Sequence, residues 1–224
     1  MTDAVRRAVV LAGGELPPVA ALQPILTAEI DADALVVAAD SGLDHALALG
    51  LHVDLVVGDF DSASTAAQTE ARAAGTVFEM HPTDKDATDL ELALESARRH
   101  GARHVMVIGG GGGRHDHLLA NALVLAAVEF SDLDLDALVG TARITVVRTH
   151  AALHGRPGDL CSLIPAGGAA HGVRTSGLRF PLHGEDLLPG STRGISNELL
   201  DATATVDVAD GVLLAVQPHA LEER

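Results

Sequence analysis

Two acidic residues separated by one position follow an apolar segment in Val56-Val57-Gly58-Asp59-Phe60-Asp61-Ser62. If strand geometry continues through Asp61, its two-residue period directs Asp59 and Asp61 to one side and Phe60 to the other. Two neighbouring carboxylates repel each other unless a cation offsets their charge. Oxygen ligands at this spacing suit Mg²⁺, which takes one or two carboxylates together with substrate phosphates. A plain turn after a strand has the same composition, so the surrounding segments decide between the two interpretations.

The order of the segments predicts an α/β fold followed by a β-rich region. Apolar strand-like segments alternate with helical segments from residue 8 to about residue 130, which is typical of a parallel sheet with helices on both faces. After about residue 140, strand-like segments are separated by Gly, Pro and Asp turns. We predict a doubly wound, mostly parallel domain at residues 1–140 and an antiparallel, β-sandwich-like domain at residues 141–224. Residues 118–130 are strongly apolar and predict a buried helix.

In a parallel sheet, ligands bind beyond the carboxyl ends of the strands, and several polar segments follow the predicted strands directly. Asp40 follows one strand, and the glycines at 109–113 follow another and lead into Arg114 and Asp116. Glycine lets backbone amides approach phosphates, and the arginine fork matches phosphate oxygens. Neither a Walker motif nor a dinucleotide fingerprint is present. The histidines on either side of Asp116 could suggest a zinc site, but the sequence offers no Cys or His cluster that would complete it.

The only lysine among the 15 basic residues, Lys85, lies in an acidic turn. The next segment, Thr88-Asp89-Leu90-Glu91, has the pattern of a capping box and predicts a helix that continues to about Arg99. Asp89 is then the first helical residue, where free backbone N–H groups and the helix dipole favour anions and a metal–phosphate complex could dock. We expect these polar segments to meet at one rim of the sheet.

Composition limits the classes of function. With a formal net charge of −16, the chain lacks the clustered Lys and Arg of a nucleic-acid-binding surface. The N-terminal segment does not fit a signal peptide, and no apolar run approaches the roughly 18 residues that span a membrane. The single cysteine, Cys161, forms no intrachain disulfide and is predicted to be buried. We therefore expect a cytoplasmic protein without nucleic-acid or membrane partners.

Six short segments resemble, in order and spacing, the motifs of the thiamine pyrophosphokinase family. They are Asp40-Ser41-Gly42, Gly58-Asp59-Phe60-Asp61-Ser62, Lys85-Asp86-Ala87-Thr88-Asp89, Gly112-Gly113-Arg114-His115-Asp116-His117, Gly177-Leu178-Arg179-Phe180-Pro181-Leu182 and Gly194-Ile195-Ser196-Asn197. The resemblance extends over nearly the whole chain. It implies Mg²⁺-dependent transfer of pyrophosphate from ATP to the hydroxyethyl group of thiamine, giving thiamine diphosphate and AMP. It also implies a homodimer, with sites between the N-terminal domain of one subunit and the β domain of the other.

The resemblance also implies roles for individual residues. Those expected to act in catalysis are Asp40, Asp59, Asp61, Lys85, Asp89, Arg114 and Asp116. The metal would be held by Asp59, Asp61 and Asp89, directly or through water, and ATP by Lys85, Gly112, Gly113 and Arg114. Asp40 and Asp116 would orient substrates or a water molecule. On the acceptor side, Ser196 and Asn197 would contact the thiamine pyrimidine, and Phe180 its flat face.

The chain departs from the family in two places: Ser41 stands where a second glycine is common, and Phe180 where many members have Trp. The second change bears on the strength of ring stacking. Two alternatives stay open: a related pyrophosphokinase that acts on a 6-hydroxymethylpterin, and a catalytically silent regulator that binds a nucleotide or thiamine. The identity of the acceptor is the property of such a site that a sequence indicates least directly.

Overall fold

The computed structural model describes residues 6–222. These residues form two compact units. The first comprises the residues up to 124 together with 132–140, and the second comprises 125–131 together with the residues from 141 onward. The predicted domain boundary after residue 140 stays a prediction. None of the helices within residues 6–222 is long and apolar enough to cross a membrane.

The first unit contains a parallel sheet. Its strands are β1 (Arg6–Leu11), β2 (Leu35–Ala39), β3 (Leu55–Gly58), β4 (Val77–Met80), β5 (Ala102–Ile108) and β6 (Asp134–Val139). They lie in the order β6-β5-β1-β2-β3-β4, and all neighbouring pairs are parallel. Strand β2 is apolar along its length, and all five of its residues are buried. Continuous apolar runs are expected where helices cover both faces of a sheet.

The helices of this unit connect the strands. They are α1 (Val19–Glu29), α2 (Gly42–Ala48), α3 (Thr65–Ala73), α4 (Asp89–Arg99) and α5 (His115–Leu125). Successive strands β1 to β4 extend the sheet in one direction, whereas β5 pairs on the opposite side of β1. Helix α4 makes this crossover and packs on β1, β2, β3 and β5. The reversal places a topological switch point between β1 and β5, where sheets of this type open a crevice for ligands.

The helix predicted at residues 118–130 is wrong in extent and in burial. Helix α5 begins at His115 and ends at Leu125, and a separate short 3-10 helix covers Val128–Phe130. Leu125 is the only buried residue of α5, whereas Leu119 is 65% and Leu123 57% exposed. The apolar composition of the segment reflects a surface helix with an apolar face rather than a core helix.

The second unit is an antiparallel β-sandwich. Its strands are β7 (Ala142–Val147), β8 (His150–His154), β9 (Leu160–Pro165), β10 (Ala170–Ser176), β11 (His183–Leu187), β12 (Asn197–Glu198), β13 (Thr203–Asp207) and β14 (Leu213–Gln217). They form two layers with the orders β12-β9-β14-β7 and β11-β10-β13-β8. Leu163 and Leu213 of one layer share a buried core with Leu153 and Val206 of the other. Cys161 lies in this core, as predicted, and burial raises the pKa of its thiol to about 12.

Candidate active site

Loops that follow the parallel strands of the first unit surround a cavity of about 730 Å³. Most of the residues predicted to act in catalysis or to bind the metal and ATP lie on the wall of this cavity. They are Asp40, Asp59, Asp61, Lys85, Asp89, Gly112, Gly113 and Arg114. Asp116 does not line the cavity, and all of the lining residues belong to the first unit. The polar segments thus meet at one rim because parallel strands present their carboxyl ends at the same edge of the sheet.

Glycines from two loops form one side of the cavity at the switch point. Gly13 and Gly14 follow β1, and the glycines at 109–113 follow β5. The two loops are hydrogen-bonded to each other, since Glu15 N donates to Gly111 O at 2.7 Å and Gly110 N to Gly13 O at 2.7 Å. A Cβ atom on Gly14 would lie 2.2 Å from Gly111 O. This close approach needs glycine, and it exposes backbone amides to a ligand such as a phosphate group.

Asp59 and Asp61 meet at the cavity through a turn rather than through strand alternation. Strand β3 ends at Gly58, and Phe60 has a left-handed φ of 63°. The Phe60 side chain is buried and packs edge-on against Phe78, with 5.2 Å between ring centroids. Strand geometry therefore does not continue through Asp61, and the two acids meet for a different reason from the one that the sequence suggested. Burial of the Phe60 ring fixes the turn that presents both acids on the same side.

Asp40 joins these two acids. One carboxylate oxygen from each of Asp40, Asp59 and Asp61 lies within 4.8 Å of the others. Asp40 is 8% exposed, and its Oδ1 atom has no hydrogen-bond partner among residues 6–222. Burial raises the pKa of Asp40, and the negative charges of Asp89 and Asp61 act in the same direction. A buried, unpaired oxygen beside two further carboxylates is the donor set that a hard divalent cation takes.

Lys85 connects the acid cluster to the start of α4. Its Nζ atom lies 2.8 Å from Asp89 Oδ1 and 3.3 Å from Asp59 Oδ2, and its side chain is 14% exposed. Partial burial opposes protonation of Lys85, but the adjacent carboxylates of Asp89 and Asp59 outweigh it and raise the pKa of the ammonium group. Asp89 is thus placed as a partner of Lys85. Asp40, rather than Asp89, completes the compact group with Asp59 and Asp61.

The helix that carries Asp89 is built as the sequence predicts. Helix α4 begins at Asp89 and ends at Arg99, and the Oγ1 atom of Thr88 accepts a hydrogen bond from Glu91 N at 3.2 Å. Leu90 and Leu94 on its inner face are buried. The cap holds Asp89 where free amide groups of the first turn favour a negative charge.

Arg114 and Asp116 form a pair at the mouth of the cavity. Arg114 Nε donates to Asp116 Oδ1 at 3.2 Å, and the two side chains are 67% and 65% exposed. The hydrogen bond from Arg114 lowers the pKa of Asp116 to about 2. Arg114 lines the cavity, so its exposed guanidinium group is available to an anionic ligand. Asp116 acts on Arg114 in this arrangement rather than on the contents of the cavity.

Several cavity residues were not predicted from the sequence. Asn121 and His117 lie four positions apart on α5, so they share one helix face. Asn121 Nδ2 donates to Gly110 O at 3.1 Å and so steadies the glycine loop. The i, i+4 spacing after the glycine run is the signal that could have identified this pair. Ser62 and Thr83 also contribute to the wall of the cavity.

The residues predicted to bind the acceptor lie together in the second unit. Asn197 Oδ1 accepts a hydrogen bond from Phe180 N at 2.9 Å, and Asn197 Nδ2 donates to Phe180 O at 2.8 Å. The Phe180 ring is 51% exposed, whereas Asn197 is 6% exposed. Ser196 is exposed and has a left-handed φ of 57°.

The doubly wound α/β unit has an acidic, glycine-lined crevice of the kind that binds a phosphate-containing ligand together with a divalent cation. A family model described as thiamin pyrophosphokinase, catalytic domain, matches residues 26–136. Another, described as thiamin pyrophosphokinase, vitamin B1 binding domain, matches residues 143–213. The two matches together cover most of the chain, which belongs to the thiamin pyrophosphokinase family. The family predicted from the sequence motifs is confirmed.

Individual relatives agree with this assignment. A thiamine pyrophosphokinase from Bacillus subtilis is 28% identical over 206 residues, which cover 88% of this chain and 92% of the relative. The crystal structure of thiamine pyrophosphokinase from Bacillus subtilis matches with a TM-score of 0.78 at 26% identity, covering 95% of this chain and 98% of that chain. Yeast thiamin pyrophosphokinase, with a TM-score of 0.70 at 16% identity over 97% of this chain and 87% of its own, shares the fold. The predicted fold class is confirmed.

Proposed function

We propose that this chain is a thiamine pyrophosphokinase that transfers the terminal pyrophosphate of ATP to the hydroxyl group of thiamine. The hydroxyl oxygen forms a bond to the β-phosphorus, the bond from that phosphorus to the oxygen bridging it to the α-phosphate breaks, and AMP leaves. The hydroxyl proton passes to solvent or to a nearby base. The observation that carries the proposal is the acid cluster beside the glycine loops, in a chain whose second unit matches a vitamin B1 binding domain.

The acid cluster fits Mg²⁺. We propose that Asp40, Asp59 and Asp61 hold the ion, because their oxygens lie close together and one of them is buried without a partner. When bound, the metal would neutralise charge on the triphosphate. Asp89, predicted from the family resemblance as a third ligand, remains a candidate for contact through water. The fit rests on oxygen donors alone, which suits Mg²⁺ better than zinc.

The remaining groups of the cavity suit an anionic chain of phosphates. Lys85 is a partly buried ammonium group beside the acids, and Arg114 carries an exposed guanidinium group at the edge of the cavity. We propose that both stabilise negative charge on the transferred group, while the amides near Gly112 and Gly113 hold the phosphates. Such catalysis depends on alignment and charge stabilisation more than on covalent chemistry.

The acceptor side of the site lies in the second unit in this proposal. The exposed face of Phe180 offers a flat apolar surface to the thiamine ring, and Ser196 offers an exposed hydroxyl group. We further propose a homodimer with composite sites. Each unit carries exposed apolar side chains of the kind that subunit interfaces cover, such as Leu119 and Leu123 on α5 and Leu200 after β12. The single cysteine suits the cytoplasm, where we place the reaction.

The test is AMP formation from ATP and Mg²⁺ with thiamine, with a 6-hydroxymethylpterin, or with neither. We expect AMP and thiamine diphosphate to form when thiamine is the acceptor and not with the pterin or without an acceptor. In Asp61→Asn we expect at least a 100-fold loss of turnover with an unchanged circular dichroism spectrum. Turnover with the pterin alone would overturn the choice of acceptor. Binding of thiamine or nucleotide without any turnover would identify a silent regulator instead. Near-normal turnover of Asp61→Asn at saturating Mg²⁺ would remove the acid cluster from the reaction.

A further inference from the structure

The side chain of Asn197 is hydrogen-bonded to the protein through both its oxygen and its nitrogen, and the residue is buried. Its Oδ1 atom accepts hydrogen bonds from Phe180 N and from Glu198 N, each at 2.9 Å. Its Nδ2 atom donates to Phe180 O at 2.8 Å, and the residue is 6% exposed. An amide oxygen has two lone pairs, and both are used here. Little of Asn197 is therefore left to contact a bound molecule.

The hydrogen bonds of Asn197 complete a ladder between two segments of the β unit. Leu178 and Leu199 form a β-bridge, Arg179 N donates to Glu198 O at 2.9 Å, and Leu200 N donates to Gly177 O at 2.9 Å. The Arg179 guanidinium group also pairs with Glu198 Oε2 at 2.8 Å. The two segments are thus joined along their length.

Phe180 is joined to this ladder through a side chain rather than through backbone. Pro181 follows Phe180 and has no N–H group to donate. The carboxamide of Asn197 takes the place of a backbone peptide, because it pairs with both the N–H and the C=O of Phe180. The Phe180 ring is half exposed and its centroid lies 5.5 Å from the guanidinium carbon of Arg179, while the two hydrogen bonds from Asn197 hold the backbone that carries the ring.

We propose that Asn197 is a positioning residue, which fixes the backbone of Phe180 so that the ring forms a preset platform for the acceptor, and that Asn197 makes no direct contact with the acceptor. The inference rests on the proposed function for the identity of the acceptor. It revises the role that family resemblance gives to Asn197, and it leaves direct contact with the acceptor to Phe180 and Ser196. A platform that is already in place lowers the entropic cost of binding the acceptor.

A double-mutant cycle on the full-length enzyme separates positioning from contact. Phe180→Ala is expected to raise the KM for thiamine about tenfold, the range of an aromatic stacking contact, with a smaller change in kcat. Asn197→Ala should raise KM by a similar factor, and the double variant should be no worse than Phe180→Ala, because Asn197 acts through the ring. Multiplication of the two KM effects would show that Asn197 contacts the acceptor itself. Ser196→Ala serves as the comparison, since its effect should multiply with that of Phe180→Ala.

Hydrogen exchange of the Phe180 amide provides a readout that needs no substrate. Asn197→Ala should speed exchange at Phe180 N–H at least tenfold, whereas the amides of β13 keep their protection. Asn197→Asp retains the acceptor oxygen for Phe180 N but replaces the donor to Phe180 O with a second oxygen, so it should restore only part of that protection and of the KM. Unchanged exchange at Phe180 in both variants would overturn the positioning role. Lack of thiamine turnover in the unmodified enzyme would overturn the proposed function, while the exchange result would still decide whether Asn197 holds Phe180.

Discussion

Asp40 is held in a conformation that ordinary residues avoid. Its φ is 45°, and within residues 6–222 the other non-glycine residues with positive φ are Phe60 and Ser196. All three belong to segments that the sequence assigns to the site. Backbone strain of this kind, of order 1 kcal/mol or more, persists where the surrounding structure imposes it, and it is concentrated at functional sites.

Replacing Asp40 with Asn is expected to stabilise the protein and impair the enzyme. The change removes a buried negative charge from a cluster of acids, and Asn tolerates the left-handed conformation. We expect the Tm in Mg²⁺-free buffer to rise by about 2–4 °C, the shift for about 1 kcal/mol in a chain of this size. Turnover should fall by about two orders of magnitude, and the rise in Tm produced by Mg²⁺ should disappear. A lower Tm together with normal turnover would contradict this account; calorimetry and the AMP assay decide.

Lys85 offers a second test at this scale. Lys85→Ala should lower turnover about 100-fold or more, because it removes a preorganised positive charge from the cavity. Lys85→Arg keeps the charge but not the compact ammonium group and should recover only part of the rate. Arg99→Ala is the matched control, since it removes an exposed ion pair with Glu79. Full activity in both Lys85 variants would show that this partly buried lysine contributes to stability alone.

Among the elements, α4 combines a structural role with a role at the site. Its inner face packs on the sheet, and its first residue, Asp89, lies in the cavity. The Thr88 cap is what fixes the position of this first turn. Stability of the helix start and geometry of the site are therefore linked through one hydroxyl group.

Removing the cap should have a measurable cost. Thr88→Ala deprives Glu91 N of its acceptor and is expected to lower the free energy of unfolding by about 1 kcal/mol. Thr88→Ser retains a hydroxyl group and should lie within a few tenths of a kcal/mol of the unmodified protein. Urea unfolding followed by circular dichroism gives both values. Equal losses in the two variants would mean that the methyl group of Thr88, rather than its oxygen, stabilises this end of the helix.

On the scale of the whole molecule, the residues that we propose for the two substrates lie in different units. The cavity with its acids and glycines belongs to the first unit, and Phe180, Ser196 and Asn197 belong to the second. Each unit also exposes large apolar side chains, including Leu123 of α5 and Leu188 of the β-sandwich. These features support the proposed homodimer with composite sites.

Subunit complementation tests that proposal. One variant carries Asp61→Asn and is inactive. The other carries Ser196→Ala together with Asn197→Ala and is assayed at a thiamine concentration far below its raised KM, where its own turnover is low. If sites are composite, a hybrid dimer has one site with both lesions and one site with neither, so activity should reappear when subunits exchange. Native mass spectrometry shows whether hybrid dimers are present. Hybrid dimers without activity would mean that each chain builds its own site, which leaves the acid cluster unaffected.

Local features of the sequence determine much of this protein. The apolar runs of β2 and β3 predict buried parallel strands, and the capping pattern at Thr88 predicts the bounds of α4. The convergence of polar segments at one rim follows from the βαβ order, because parallel strands end at the same edge. Each of these signals depends on neighbouring residues or on strand period, which a sequence displays directly.

Tertiary structure alone decides the features that depend on distant partners. Strands β10 and β11 are largely polar, and the other layer of the sandwich covers their few apolar residues. Glycine interrupts the apolar pattern of both segments, so the sequence alone does not indicate these strands. Asp40 joins Asp59 and Asp61 because a left-handed turn at Phe60 aims two acids toward the end of another strand. The carboxamide of Asn197 accepts a hydrogen bond from Phe180 N and donates one to Phe180 O, although the two residues are 17 positions apart in the sequence. Such contacts arise only when the chain has folded, because they depend on burial and direction in addition to residue type.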